Sequence, residues 1–218
     1  MERSKDSSAL PEPLRAAVDG WLQAYGGGEI MDPLLERFPQ AAQQLPRMLA
    51  CSSYLGDVLA RYPHSLAELL ESGRLERAVE AGELDRLFGE ALPDSLPEAE
   101  FEKQLRVLRH RELLRIAWRD LAGAAEVEET LNELSDLADA AIKSALRWSL
   151  AALEPLYGQA REASGDPAVF LAMAMGKLGG HELNFSSDVD LIFLYSDQGE
   201  TTGRRSVSNE QYFRSLGQ

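Results

Sequence analysis

Apolar residues recur every three to four positions through most of the first third of the chain. This spacing predicts short helices at 13–25, 39–50, 52–61 and 64–71, because residues three and four apart lie on one face of a helix. Proline, glycine or serine bounds each of these segments, as is typical of helix ends. The pattern therefore predicts an all-helical region whose helices pack on one another as a scaffold.

Two longer amphipathic segments follow, at 99–121 and 127–156. Their apolar stripes are continuous and Gly123 lies between them, so we expect an antiparallel helix pair. The first segment also carries a row of arginines, for which two interpretations are open. A solvated or salt-bridged surface is the favoured one, and contact with a phosphate-bearing substrate is the other. The arginines are Arg106, Arg109, Arg111, Arg115 and Arg119.

The pattern changes after a turn signal at 165–167. An apolar run at 169–175 predicts a strand, which ends in a glycine-rich loop at 176–180. A second segment, 188–195, opens with two aspartates and has the composition of a buried strand. The sequence therefore predicts an α+β fold in which a mostly helical region leads into the first strands of a sheet.

A capping box, Ser208 followed by Gln211, predicts a final helix at 209–216. Two strands alone do not make a stable independent sheet, so we expect either that helices complete the fold or that the chain belongs to a longer protein. The predicted divisions are a helical region at 1–98, a long helical hairpin at 99–165 and a partial sheet domain at 166–218.

Composition narrows the class of protein further. The chain has 218 residues, a net charge of −14 and a single cysteine, Cys51, which excludes an intramolecular disulfide or a thiolate zinc cluster. The acidic balance argues against a general nucleic-acid binder, because phosphate neutralisation needs a basic surface. We find no targeting sequence and no apolar run long enough to span a membrane, and we expect a cytoplasmic protein.

The candidate chemistry lies in the glycine-rich loop and the two aspartates. In a strand, Asp188 and Asp190 would leave the same face, and paired carboxylates commonly share Mg²⁺ ions in phosphoryl and nucleotidyl transfer. Gly176, Gly179 and Gly180 would let backbone N–H groups approach phosphate oxygens. Each feature alone is a weak signal, but their order predicts an anion cradle beside a metal-binding pair. Motifs of P-loop, Rossmann, zinc-protease and α/β-hydrolase sites are absent.

Three separated blocks carry a resemblance to a known family. The block GKLGGHELNFSSDVDLIFLY at 176–195 resembles the signature of glutamate-ammonia-ligase (glutamine synthetase) adenylyltransferase and adenylyl-removing enzymes. These enzymes belong to the DNA polymerase β-like nucleotidyltransferase superfamily. The blocks RHRELLRIAWRDLAG at 109–123 and GRRSVSNEQYFRSLGQ at 203–218 are similar to the N-terminal half of the same family. The blocks occur in the family's order, which makes the resemblance specific.

The resemblance implies the start of a polymerase β-like nucleotidyltransferase sheet and the adenylyl-removing activity. In that activity, AMP is removed from an adenylylated tyrosine of glutamine synthetase by phosphorolysis, which releases ADP. Asp188 and Asp190 would be catalytic and hold Mg²⁺, with phosphate, ADP or ATP as ligands and a PII-type signalling protein as a further partner. His181 and Glu182 would shape the loop. The residues implied to surround the phosphates are Gly176, Lys177, Gly179, Gly180 and Ser187.

Two departures from the family's pattern bear on activity. Lys177 stands where the superfamily has serine, and no third acidic metal ligand occurs on a later strand before Gln218. The chain is therefore expected to be the N-terminal part of a longer protein and to be inactive, or nearly so, by itself. Two alternatives are also open: another polymerase β-like nucleotidyltransferase, or a non-catalytic module that docks on a partner.

Overall fold

A computed structural model describes residues 7, 8, 10–26 and 29–217 and confirms the α+β class, with most of the chain helical. Short strands follow the helices, as the sequence predicts. The helices are α1 Glu12–Tyr25, α2 Met31–Arg37, α3 Pro39–Cys51, α4 Ser53–Arg61, α5 Pro63–Glu71, α6 Glu83–Ala91, α7 Glu98–Ala122, α8 Val127–Tyr157, α9 Gly176–Gly179 and α10 Asn209–Leu216. The strands are β1 Ala160–Glu162, β2 Phe170–Ala174, β3 Leu191–Tyr195 and β4 Gly199–Thr201.

The structure divides into two compact units. The first takes the described residues of 1–79 and 106–130, and the second takes those of 80–105 and 131–218. The long helices α7 and α8 each contribute residues to both units. The division therefore cuts across the helical hairpin that the sequence predicts at 99–165, although the pairs Asp120 with Thr130 and Phe101 with Trp148 occur in antiparallel order.

The core of the first unit forms where α2 to α5 pack with the second half of α7. Leu45, Leu55, Leu66 and Leu114 are fully enclosed in it, as the spacing of apolar residues predicts. Trp118, from the predicted apolar stripe of α7, is also enclosed, and its indole N–H donates to Gln44 at 2.9 Å. This unit confirms a packed helical scaffold.

Besides the helical turn α9, two short helices do not appear in the sequence-based prediction. These are α2 and α6, which are seven and nine residues long. Isolated helices this short are marginal in water, so packing rather than periodicity decides whether they form. Leu34 and Leu35 of α2, and Leu84 and Phe88 of α6, provide that packing because all four are buried.

The second unit contains two small antiparallel sheets rather than one. Strand β1 pairs with β4, and β2 pairs with β3. The polar segment at 198–205 therefore contains the short strand β4, which the sequence does not predict. Helix α10 has the predicted bounds, and the Ser208 hydroxyl accepts a hydrogen bond from the N–H of Gln211 at 3.3 Å, which confirms the capping box.

The prediction that 188–195 is a buried strand is wrong on two points. The strand begins at Leu191, so Asp188 and Asp190 lie directly before it rather than in it. Four of its five residues are exposed: Ile192 and Leu194 lie on one face, and Phe193 and Tyr195 stay partly exposed on the other face, where α10 packs. Within the described residues, no helix combines the length and apolar character needed to cross a membrane.

Candidate functional site

Strand pairing brings the glycine-rich segment and the aspartate pair to one end of the β2–β3 sheet. Ala174 is the last residue of β2 and lies opposite Leu191, the first residue of β3. The pairing continues one step beyond the strands, because the N–H of Met175 donates to the carbonyl of Asp190 at 2.9 Å. The next residue, Gly176, begins the glycine-rich segment. The two features that the sequence singles out are therefore neighbours at the same sheet end.

The glycine-rich segment is one helical turn, α9, and not the open loop that the sequence predicts. The N–H groups of Gly179 and Gly180 donate to the carbonyls of Met175 and Gly176, at 3.2 and 3.0 Å. Those two amides are consequently occupied within the turn. The glycine spacing had suggested a phosphate cradle, but in this structure the backbone satisfies its own hydrogen bonds first.

At two positions of this segment the backbone itself requires glycine. Gly176 has a φ of 58°, in the left-handed region that favours glycine. At Gly179, an added Cβ would lie 2.5 Å from the carbonyl oxygen of Ala174, so only glycine lets the turn lie this close to β2. The predicted roles of Gly176, Gly179 and Gly180 around phosphates stay predictions beside these structural ones.

The charged side chains at this sheet end are open to solvent. Asp188, Asp190 and Lys177 are exposed, and none of the three side chains has a hydrogen bond or ion pair with another described residue. Ser187 is half-buried, and its hydroxyl donates to the side-chain carbonyl of Asn184, which closes a short turn before the aspartates. The carboxylates are thus available to a ligand, and Lys177 can serve as a point charge for a phosphate.

Helix α8 anchors the chain between α9 and the aspartates. The buried N–H of Leu183 donates to the Ser135 hydroxyl at 3.1 Å, and that hydroxyl donates to the carbonyl of Leu131 at 2.8 Å. Next to it, Nε2 of His181 lies 3.4 Å from Oδ1 of Asp136. We call Ser135, Asp136, His181 and Leu183 the α8 anchor.

The α8 anchor contains a residue with an uncommon backbone conformation, and the sequence does not predict this anchor. His181 has a φ of 56°, which is uncommon for a residue with a side chain. Burial raises the pKa of Asp136. The nearby charge of His181 lowers that pKa by a smaller amount, so the net shift is upward. The one available signal was Ser135, a polar residue that interrupts the apolar face of α8 and is fully buried.

The donor chemistry of this site suits a hard cation, but the described residues provide only part of a ligand set. Carboxylate oxygens are the donors that Mg²⁺ prefers, and Asp188 and Asp190 supply them. Among residues 7, 8, 10–26 and 29–217, no group of three or more histidine, cysteine, aspartate or glutamate side chains is placed to hold a metal ion.

Three arginines of the predicted arginine row form ion pairs inside the first unit. Arg111 pairs with Glu68 at 2.7 Å, and Arg119 pairs with Glu129 at 2.7 Å. Arg115 is fully buried, 3.0 Å from a Glu112 oxygen. The favoured interpretation, a salt-bridged surface, is therefore right for these three side chains, although two of the pairs are more buried than a surface face implies.

The structure is that of a mostly helical α+β protein in which a glycine turn and an aspartate pair meet at one sheet end, and comparison with known sequences identifies its family. The sequence model described as glutamate-ammonia ligase adenylyltransferase matches residues 42–218. The chain belongs to this family, as its three sequence blocks indicated.

Similar proteins carry the corresponding name. The chain is 42% identical over 210 residues to the bifunctional glutamine synthetase adenylyltransferase/adenylyl-removing enzyme of Thioalkalivibrio sulfidiphilus, covering 96% of this chain and 21% of that protein. It is 41% identical over 186 residues to the enzyme of that name from Pseudomonas putida, covering 83% and 19%. The Shewanella loihica enzyme is 37% identical over 224 residues, covering 100% and 22%. The chain thus spans about a fifth of the length of these relatives.

Proposed function

We propose that this chain forms the opening part of the adenylyl-removing half of a bifunctional regulator of glutamine synthetase. One observation carries the proposal. The hydrogen bond from Met175 to Asp190 joins the glycine turn to the aspartate pair at one sheet end, in a chain of the adenylyltransferase family. Two exposed carboxylates beside a segment proposed to bind phosphate are part of the arrangement that nucleotidyl transfer needs.

The proposed reaction is phosphorolysis of an adenylylated tyrosine. An oxygen of inorganic phosphate forms a bond to the phosphorus of the AMP group, and the bond between that phosphorus and the tyrosine oxygen breaks. The products are ADP and glutamine synthetase with an unmodified tyrosine side chain. Asp188 and Asp190 would hold Mg²⁺, which supplies stabilisation of the charge on the phosphate oxygens. Lys177 attracts the incoming anion, and Ser187 fixes the turn before the carboxylates. The chain needs no covalent nucleophile.

The partners follow from the same proposal. Adenylylated glutamine synthetase is the macromolecular substrate, phosphate and ADP or ATP are the small ligands, and a PII-type signalling protein is a regulator, all in the cytoplasm. We expect the 218-residue chain to release little or no ADP from adenylylated glutamine synthetase, because the described residues offer two carboxylates and no third.

Binding of ADP with and without Mg²⁺ tests the proposal on this chain. Calorimetry should show that Mg²⁺ strengthens ADP binding, and that Asp188→Asn or Asp190→Asn removes this Mg²⁺-dependent gain. Asp197→Asn is the matched control, because it removes the same charge just beyond the opposite end of β3. Within the described residues, its side chain accepts a hydrogen bond from the neighbouring N–H of Gln198 alone, which an asparagine oxygen can also accept.

The other outcomes have definite meanings. If Mg²⁺ has no effect on ADP binding, or if all three variants behave alike, the proposal fails and a non-catalytic docking module is favoured. Robust Mg²⁺-dependent ADP release by the chain itself would contradict the expected inactivity and show that two carboxylates suffice.

A further inference from the structure

A cavity of about 580 Å³ opens in the first unit, between the end of α1, helix α4 and helix α7. The glycine turn and the aspartate pair belong to the second unit, so the cavity is no part of the candidate site described above. Its volume lies within the roughly 300–1,000 Å³ typical of small-molecule sites. The side chains that give it chemical character are Tyr25, Tyr54, Asp57, Arg61, Tyr62 and His110.

Aromatic rings form a connected wall of this cavity. The Tyr54 hydroxyl and Nδ1 of His110 share a hydrogen bond of 2.8 Å. The ring of Tyr62 stacks on His110, with centroids 5.4 Å apart and planes inclined by 25°. Tyr25, half exposed, adds a ring from the end of α1. Such surfaces bind flat aromatic groups by stacking.

Two opposite charges on α4 also line the cavity. Arg61 and Asp57 are exposed, and neither side chain has a hydrogen bond or ion pair with another described residue. A guanidinium matches the geometry of a phosphate, and a carboxylate accepts hydrogen bonds from sugar hydroxyls. Burial lowers the pKa of His110, and the charges of Arg109 and Arg61 lower it further, which favours the neutral form of the ring.

We propose that this cavity binds a nucleoside phosphate at a site separate from the aspartate pair. The base stacks on the tyrosine rings, the phosphates bind Arg61, and the ribose hydroxyls donate to Asp57. Rings alone would suit any aromatic compound, and an arginine alone would suit any anion. The combination of rings, a guanidinium and a carboxylate within one cavity of this size selects a ligand with a base, a sugar and a phosphate.

Calorimetry with ADP in EDTA tests the proposal, because this site needs no metal. We expect ADP to bind, and we expect weaker binding of adenosine, which lacks the phosphates, and of pyrophosphate, which lacks the base and the sugar. Arg61→Ala and Tyr25→Ala should each weaken ADP binding by about tenfold, through a lost charged hydrogen bond and a lost stacking face. Both residues are exposed, so neither substitution should unfold the chain.

A matched control tests whether the effect belongs to this cavity. Arg86→Ala removes an exposed arginine of the second unit and should leave ADP binding in EDTA unchanged. The proposal is overturned if ADP at millimolar concentration does not bind in EDTA, or if Arg61→Ala binds ADP as tightly as the unmodified chain. Either result leaves the Mg²⁺-dependent function untouched.

Discussion

Single residues at the glycine turn differ sharply in how much the structure depends on them. Gly179 lies against the backbone of β2, where a Cβ would come within 2.5 Å of the Ala174 carbonyl oxygen. At Gly180, the nearest atom to an added Cβ is Cγ of Glu182, at an ordinary contact distance of 3.5 Å. The glycines that a motif groups together therefore carry different structural roles.

Gly179→Ala should destabilise the chain, and Gly180→Ala should not. Relieving a contact with backbone requires the turn to move off β2, which costs about 1–3 kcal/mol by analogy with overpacked cores. The measurement is the change in unfolding free energy in urea, with Gly180→Ala as the matched control. Equal effects of the two substitutions would show that the turn does not lie against β2 in this way.

A second residue-scale prediction concerns Glu112, a fully buried carboxylate that receives a two-pronged bond from Arg74, at 2.6 and 3.0 Å. Burial alone raises its pKa, but the hydrogen bonds and charges of Arg74 and Arg115 outweigh burial and hold the pKa of Glu112 below its usual range. A lowered pKa in the folded state gives stability that is present above the pKa of the unfolded chain and is lost on acidification.

Glu112→Gln should therefore lower stability at pH 7 and flatten its pH dependence. Removing one partner of a buried ion pair costs about 3–5 kcal/mol, because the remaining charges stay buried. The unmodified chain should lose stability below about pH 5, close to the ordinary glutamate pKa, and the variant should lose less there. Glu71→Gln, which removes the exposed partner of Arg37, is the control and should change stability by no more than about 1 kcal/mol.

At the scale of secondary-structure elements, the sequence predicted what periodicity encodes. The long helices, the strand after residue 169 and α10 with its Ser208 cap all appear close to their expected bounds. The sequence does not predict the short helices α2 and α6, because tertiary packing rather than periodicity stabilises them. The pairing of β1 with β4 also escaped it, because partners this far apart in sequence leave no local pattern.

The sequence indicates which segments form the candidate site, but not the local structure or the distant contacts of those segments. The order of glycines and aspartates indicated that they would meet, and the β2–β3 register brings them to one sheet end. The glycine segment forms a helical turn through contacts with Met175 and Ala174, and the spacing of the glycines does not predict these contacts. The α8 anchor joins residues about 45 positions apart in sequence, so no local motif could reveal it.

Ser135→Ala tests the α8 anchor as a link between elements. The buried N–H of Leu183 would lose its acceptor, which costs about 1–3 kcal/mol. We expect faster amide hydrogen exchange at Leu183 and along the segment to the aspartates. Ser144→Ala, the same change at another buried serine of α8, should leave that exchange unchanged. Unaltered exchange in Ser135→Ala would mean that the anchor does not hold the segment.

At the scale of the whole molecule, one face of the β2–β3 sheet is apolar and open. Leu171 lies opposite Leu194 and Met173 lies opposite Ile192, and all four side chains are at least 40% exposed. On the other face, Phe170 and Tyr195 stack on Phe213 of α10. A contiguous apolar patch of this kind favours self-association in a soluble chain.

Leu171→Lys should therefore reduce binding of the dye ANS and reduce concentration-dependent association of the chain. Leu150→Lys is the control, because Leu150 is also 40% exposed but lies on α8, outside this sheet. Fluorescence titration and sedimentation velocity measure the two effects. If both lysine variants lower ANS binding equally, the sheet face is not the main apolar surface.

The proposed function depends on the aspartate pair and the glycine turn acting together as one site for a cation and a phosphate. Paramagnetic broadening by Mn²⁺, in place of Mg²⁺, tests this most directly on the isotope-labelled chain. We predict that low Mn²⁺ concentrations selectively broaden the amide signals of 176–179 and 187–191, and that Asp188→Asn or Asp190→Asn abolishes the effect while Asp197→Asn does not. Broadening that misses the glycine turn, or that is equal at other acidic segments such as 126–139, would contradict it.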